Sequence, residues 1–188
     1  MPVEHTNWRG DTYYLHEGVT NKDNARYFFS RNPKGKLSER IPDGYEVYEM
    51  PNGRPYARKV LIPLISEIEI RIIANSIPKA VHNKLVVKKR SVTVYIAEEM
   101  SPSSNFLSKQ VLGEYQPLLR FVLTNDKCRT FDVEFLIRFD EIADEDEEVY
   151  EDQWICEDTS NDLRSLAARY CGRLPSDFLY DFDDDEID

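Results

Sequence analysis

The chain reads as an α+β protein: a mainly antiparallel sheet of hairpins with about two helices, preceded by a small strand-rich N-terminal module. Three observations carry this reading. Phe131, Val133, Phe135, Ile137 and Phe139 alternate with Asp132, Glu134 and Arg138, the period of a strand with one buried and one wetter face. Turn residues recur between short aromatic and β-branched runs, most clearly at Asn52-Gly53. Apolar residues fall at helical spacing in Leu61–Ile77 and again after Thr159. The expected organisation is a module over residues 1–60, a main body over 61–180 and an acidic tail over 181–188.

In the module, Tyr13–His16 and Arg26–Ser30 read as aromatic strands around the turn Asn21-Lys22-Asp23-Asn24. Arg31–Lys36 reads as a loop. Ile41-Pro42-Asp43-Gly44 turns the chain into Tyr45–Glu49, which places Tyr45, Val47 and Glu49 on one face. Asn52-Gly53 predicts a type I′ hairpin turn, since both residues tolerate positive φ, with a return strand Arg54–Lys59.

Leu61–Ile77 predicts a helix. Leu61, Leu64, Ile65, Ile68 and Ile72 share a face, Pro63 suits a first turn and Pro78 stops it. Residues 67–72 also alternate with period two, but a strand of about 16 residues would be unusual, so length favours the helix. Lys84–Lys88 and Ser91–Ala97 read as a hairpin turning at Lys89-Arg90, and Glu98–Glu114 as a loop. Tyr115–Thr124 and Phe131–Phe139 follow as strands about the turn Asn125-Asp126-Lys127. Asp140–Asp152 reads as an acidic loop and Trp154–Cys156 as a short strand. Thr159 or Ser160 is expected to cap a last helix striped by Leu163, Leu166, Ala167 and Tyr170, with Gly172 just past its end.

Composition narrows the function. The net charge is −11, and it is unevenly spread. Residues 1–90 hold 16 Lys and Arg against 10 Asp and Glu, a net of +6; residues 91–188 hold 8 against 25, a net of −17. The most apolar window, Val60–Ile77, is interrupted by Pro63, Ser66, Glu67, Glu69, Arg71 and Asn75, short of the roughly 18–20 apolar residues of a membrane span. The first residues have neither a basic patch nor an apolar stretch, so a cytoplasmic protein is expected. The odd number of widely spaced cysteines, Cys128, Cys156 and Cys171, reads as free thiols in a reducing compartment.

Tyr13–Gly18, Tyr27–Ser30, Ile41–Glu49, Pro51-Asn52-Gly53 and the later Leu119–Leu123 resemble an uncharacterised family of small bacterial proteins. The resemblance covers about two-thirds of the chain and is most specific in the first 60 residues. The family has no established activity, so it implies no site residues. The acidic stretch Asp140–Asp152 and the acidic tail are heavier than the family pattern.

No catalytic residue, metal or cofactor is assigned. His5, His16 and His82 and the three cysteines show none of the spacings that bind zinc. The seven glycines form no phosphate-binding loop, and there is no Gly-x-Ser-x-Gly elbow. Cys128 lies beside Arg129, which favours a thiolate, but an ordinary strand-end cysteine is the simpler reading. The 35 carboxylates offer no preferred acid–base pair.

Two binding surfaces remain as readings, and an enzyme of unknown chemistry stands as a third. The first is the carboxylate-rich segment Asp144, Glu145, Asp146, Glu147 and Glu148, expected to engage a basic protein partner, with self-association through the two charge populations as its variant. The second is the module, where Arg26, Arg31, Lys34, Lys36, Arg40, Arg54, Arg58 and Lys59 interleave with Trp8, Tyr13, Tyr14, Tyr27, Phe28, Phe29 and Tyr56. Bases stack on strand aromatics and phosphates meet flanking cations in single-strand binders, so Arg26, Tyr27, Phe29, Arg31, Lys34 and Lys36 are the candidate nucleic-acid contacts. A plain core role for these rings and plain solubility for the carboxylates are the competing readings.

Overall fold

A computed structural model of the chain describes residues 1–20, 24–97, 114–143 and 147–174, with no side-chain detail for 138–152. The expected loop at Glu98–Glu114 therefore lies, but for its last residue, outside the described residues. The fold is α+β, with ten strands in antiparallel sheets and two helices among the described residues. The chain forms two compact units, Met1–Ile62 and Pro63–Asp188.

The first unit holds a three-stranded sheet, β1 (Glu4–Thr6), β2 (Thr12–Val19) and β3 (Ala25–Ser30), and a hairpin of β4 (Tyr45–Glu49) and β5 (Pro55–Lys59). The short β1 has no periodic signal of its own; it forms because β2 offers it an edge, with Glu4, His5 and Thr6 opposite Tyr14, Tyr13 and Thr12. The β4–β5 turn is not the expected type I′. The Gly53 amide donates to the Met50 carbonyl at 2.8 Å, Gly53 alone takes positive φ (+82°), and Asn52 does not. Pro51 makes the difference: it fixes φ near −65° at the first corner, which suits a type I turn followed by a left-handed glycine. Arg54 accordingly sits in the loop, and β5 starts at Pro55.

The second unit is a five-stranded antiparallel sheet in the order β10-β9-β8-β7-β6, comprising β6 (Asn83–Val87), β7 (Ser91–Ala97), β8 (Tyr115–Asn125), β9 (Thr130–Ala143) and β10 (Glu147–Ser160). Register places Val92, Phe121 and Val133 in one row across three strands, all fully buried. Helices α1 (Glu67–Ser76) and α2 (Leu163–Cys171) close the core over this face through Ile65, Ile73, Ile77, Leu163, Leu166 and Tyr170.

The helix expected over 61–77 starts later. Ser66 and Glu69 form a capping box: the Ser66 amide donates to Glu69 Oε2 at 2.8 Å and Ser66 Oγ accepts from the Glu69 amide at 3.4 Å. Residues 61–65 are an irregular lead instead, tied down where the Leu64 amide donates to the Lys89 carbonyl. At α2 the cap is Asp162, which accepts from the Ser165 amide at 3.1 Å; Thr159 and Ser160 end β10. Gly172 takes the C-cap in a right-handed conformation, φ −66°.

The acidic segment is also corrected. Asp140–Ala143 belongs to β9 and Glu147–Asp152 to β10, in register from Glu147–Ala143 to Ser160–Phe131, so Trp154–Cys156 is part of a 14-residue strand. Pairing of β9 with β8 ends at Phe135, whereas its pairing with β10 runs to Ala143. Asp144, Glu145 and Asp146 lie outside the described residues.

Candidate nucleic-acid interface

Strand alternation in the first unit decides which side chains are available. One face of the three-stranded sheet carries His5, Tyr13, Leu15, Tyr27 and Phe29; the other carries Tyr14, His16, Arg26 and Phe28. The first face packs on the β4–β5 hairpin. Tyr27 meets Tyr45 edge-on at 5.6 Å, the Phe29 ring lies 6.1 Å from His5, and His5 Nε2 is 2.6 Å from Glu49 Oε2. Leu15 is fully buried there.

The six candidate contacts therefore separate. Tyr27 and Phe29 are half-buried in the unit's own packing, not a stacking platform. Arg31 is engaged: it donates to Asp11 Oδ2 at 2.7 Å and to the Tyr13 hydroxyl at 3.3 Å, and these raise its pKa, the Tyr13 bond most. Lys36 pairs with Glu17 at 3.2 Å. Arg26 and Lys34 are exposed and have no carboxylate partner among the described residues. Arg26 lies on the opposite face from Tyr27 and Phe29, over the Phe28 ring at 5.6 Å. His16 stacks under Phe28 at 5.2 Å and is fixed from below, its Nε2 2.9 Å from the Asn32 carbonyl, in the loop that carries Lys34.

The outer face of the hairpin adds residues that the candidate set lacks. Tyr48 opposes Tyr56, and Arg58, paired with Glu46, stacks 3.6 Å over Tyr48. Arg54 lies over Tyr56 at 5.4 Å and Arg9 over Trp8 at 4.9 Å. Trp8 is held at the hairpin turn: its indole donates to the Pro51 carbonyl at 3.0 Å and its amide to Glu49 Oε1 at 3.2 Å.

A pattern emerges from these pairs. Trp8, Phe28 and Tyr56, 39%, 39% and 41% exposed, are the most open aromatic rings among the described residues. Each lies under an arginine, Arg9, Arg26 or Arg54, that has no carboxylate partner among the described residues. The arginines over the more enclosed Tyr13 and Tyr48 are neutralised by Asp11 and Glu46. The open pairs occupy two patches. Trp8–Arg9 and Arg54–Tyr56 gather about the Pro51–Gly53 turn, and Arg26–Phe28 lies on the far face of the sheet. The pairing role of Arg54 had a sequence signal: Arg26-x-Phe28 and Arg54-x-Tyr56 share the two-residue spacing that puts neighbours on one face of extended chain, whereas Arg9, adjacent to Trp8, shows no such spacing.

The charge split also shifts. Residues 1–62 hold ten Lys and Arg against eight Asp and Glu, a net of +2; much of the excess in residues 1–90 belongs to the second unit. Among the described residues no three His, Cys, Asp or Glu converge as a metal site, and no helix is long and apolar enough to cross a membrane. No family model, curated protein or solved structure matches the chain.

Proposed function

We propose that the protein is a non-enzymatic binding protein whose first unit binds single-stranded nucleic acid. The observation that carries this reading is the coincidence of exposed aromatic rings with arginines that have no carboxylate partner among the described residues. A guanidinium already stacked on a ring offers its second face to a base and its edge to phosphate, and base stacking is worth about 1–3 kcal/mol per base. Arg9, Arg26 and Arg54 are the contact residues, with Lys34 beside them. The net charge of +2 in the unit and −13 in the remainder favours short strands, because a long polyanion meets repulsion outside the contact patch. The resemblance to a bacterial family contributes no activity to this reading. Anisotropy of labelled oligonucleotides of about 20 nucleotides, single-stranded and duplex, against the full chain at low salt tests it. Binding of single strands that weakens in Phe28→Ala and Tyr56→Ala is expected; no binding to any of them refutes it.

A second reading keeps the acidic segment as a contact for a basic protein partner in the same cellular compartment, the cytoplasm. It is favoured by the β9–β10 ribbon: nine of the thirteen residues Asp140–Asp152 are acidic, Glu147 and Glu148 among them, and among the described residues that stretch of β9 pairs with β10 alone. Recovery of a salt-sensitive protein partner by the wild-type chain, and its loss when Glu147, Glu148, Glu151 and Asp152 become Gln, tests this reading.

A further inference from the structure

A second surface, in the other unit, is independent of the reading above. Helices α1 and α2 leave a cleft of about 380 Å³ between them, lined by Ile68, Arg71, Ile72, Asn75, Ser76 and Arg164. The core does not need all of its apolar lining. Ile65, Ile73 and Ile77 are buried, but Ile68 is 67% exposed on the helix between them. An isoleucine held in water on an ordered helix leaves apolar surface uncovered, which burial under a partner would recover at about 25 cal/mol per Å².

The rim is cationic in a unit that holds 14 Lys and Arg against 27 Asp and Glu. Arg164 has no carboxylate partner among the described residues. Arg71 has only Glu67, at 3.3 Å one turn away on the same helix, with both side chains largely exposed. Such an exposed pair is weak and yields readily to a better-placed carboxylate. The apolar floor distinguishes the occupant further, since a nucleic-acid backbone has phosphates for the arginines but no aliphatic or aromatic side chain for Ile68 and Ile72.

We propose that the α1–α2 cleft docks an acidic peptide segment of a partner protein, one that carries large apolar side chains between its carboxylates. The apolar side chains cover Ile68 and Ile72, and the carboxylates meet Arg71 and Arg164, the arrangement of an amphipathic segment laid in a groove.

The test places a photo-crosslinking residue in the full chain, as Ile68→p-benzoylphenylalanine. The probe is a biotinylated synthetic peptide that alternates Asp and Glu with Phe and Leu. Saturable crosslinking to the peptide is expected. It should fall about tenfold or more in Arg71→Glu/Arg164→Glu, a change that reverses two exposed charges and leaves the core intact. It should fall similarly when the Phe and Leu residues of the peptide become Ser. Four results overturn the proposal. They are no crosslink, a crosslink only within the chain itself, equal labelling by the serine peptide, and displacement by an oligonucleotide with no effect of the serine changes. Circular dichroism of the double arginine variant separates loss of the cleft from loss of the fold.

Discussion

The side chain of Asn7 joins two turns of the first unit. Its Nδ2 donates to the Gly53 carbonyl at 2.6 Å, and its Oδ1 accepts from the amides of Arg9 at 3.0 Å and Asp11 at 2.8 Å. Asn7 is 4% exposed, and its bond to Gly53 is buried. Trp8 and Arg9, next in sequence, are thereby held against the hairpin turn that leads to Arg54 and Tyr56.

Asn7→Ala strands one carbonyl and two amides, and at about 1 kcal/mol or more for each it should cost ~2–4 kcal/mol. Gly53→Ala should cost as much by another route. Its φ of +82° is strained for any L side chain, and a Cβ there would lie 2.8 Å from Asn7 Nδ2 and 3.3 Å from Trp8 Nε1. Urea unfolding followed by tryptophan fluorescence measures both. A loss under about 0.5 kcal/mol in either variant contradicts the account, being the scatter of ordinary surface changes.

In the second unit, Arg129 fastens the β8–β9 turn to the start of α1. Its Nε donates to Glu69 Oε1 at 2.9 Å and its Nη2 to the Leu64 carbonyl at 3.2 Å, and it also pairs with Glu69 Oε2. Burial pushes the Glu69 carboxyl up, but the bonds from Arg129 and Ser66 outweigh it and hold its pKa below the ordinary 4.5. A carboxyl depressed in the folded state contributes stability above its unfolded pKa and loses it as pH falls through the folded one. Stability should therefore decline below about pH 4.5, and Glu69→Gln should flatten that decline while lowering stability at pH 7 by ~1–3 kcal/mol. Urea midpoints from pH 3 to 7 decide; an unchanged pH slope in the variant contradicts the assignment.

The cysteines should divide two to one. Cys128 and Cys156 are exposed, whereas Cys171 is fully buried and burial pushes its thiol up to about 12. Thiol titration at pH 8 should count two groups in the native protein and the third only on unfolding. Rapid reaction of all three contradicts the packing of α2.

Much of the fold was legible. The Phe131–Phe139 alternation and the Lys89-Arg90 turn are local signals, and both strands and turn stand where the sequence put them. The errors came from competition between local signals. Pro63 suggested a helix start, but the Ser66/Glu69 capping box lies three residues further on and satisfies the orphan amides. Asn52-Gly53 suggested a type I′ turn, but Pro51 had already fixed the first corner. The acidic run from Asp140 lacks the apolar alternation of a strand, yet it pairs with itself, Asp140–Ala143 of β9 against Glu147–Tyr150 of β10, in continuation of the pairing between Phe131–Phe139 and Glu151–Ser160. The candidate site was half legible. Composition marked the first unit, but strand parity puts Tyr27 and Phe29 inside and pairs Arg31 and Lys36 with Asp11 and Glu17, which no residue count reveals.

If the open arginines are the contacts, charge and planarity should separate. Arg9→Lys, Arg26→Lys and Arg54→Lys keep the charge but not the flat face, and together should weaken single-strand binding about tenfold while leaving the salt dependence nearly unchanged. Full affinity in the triple lysine variant would show that stacking plays no part.

The central claim is tested most directly by the salt dependence of single-strand affinity for the wild-type chain and for Arg9→Gln/Arg26→Gln/Arg54→Gln. Each phosphate-contacting cation contributes about 0.7 to the slope of log K against log salt on single strands. The account predicts measurable binding by the wild type and a slope shallower by about 2 in the triple variant, with the fold intact by circular dichroism. Equal affinity and equal slope in the two proteins would contradict it.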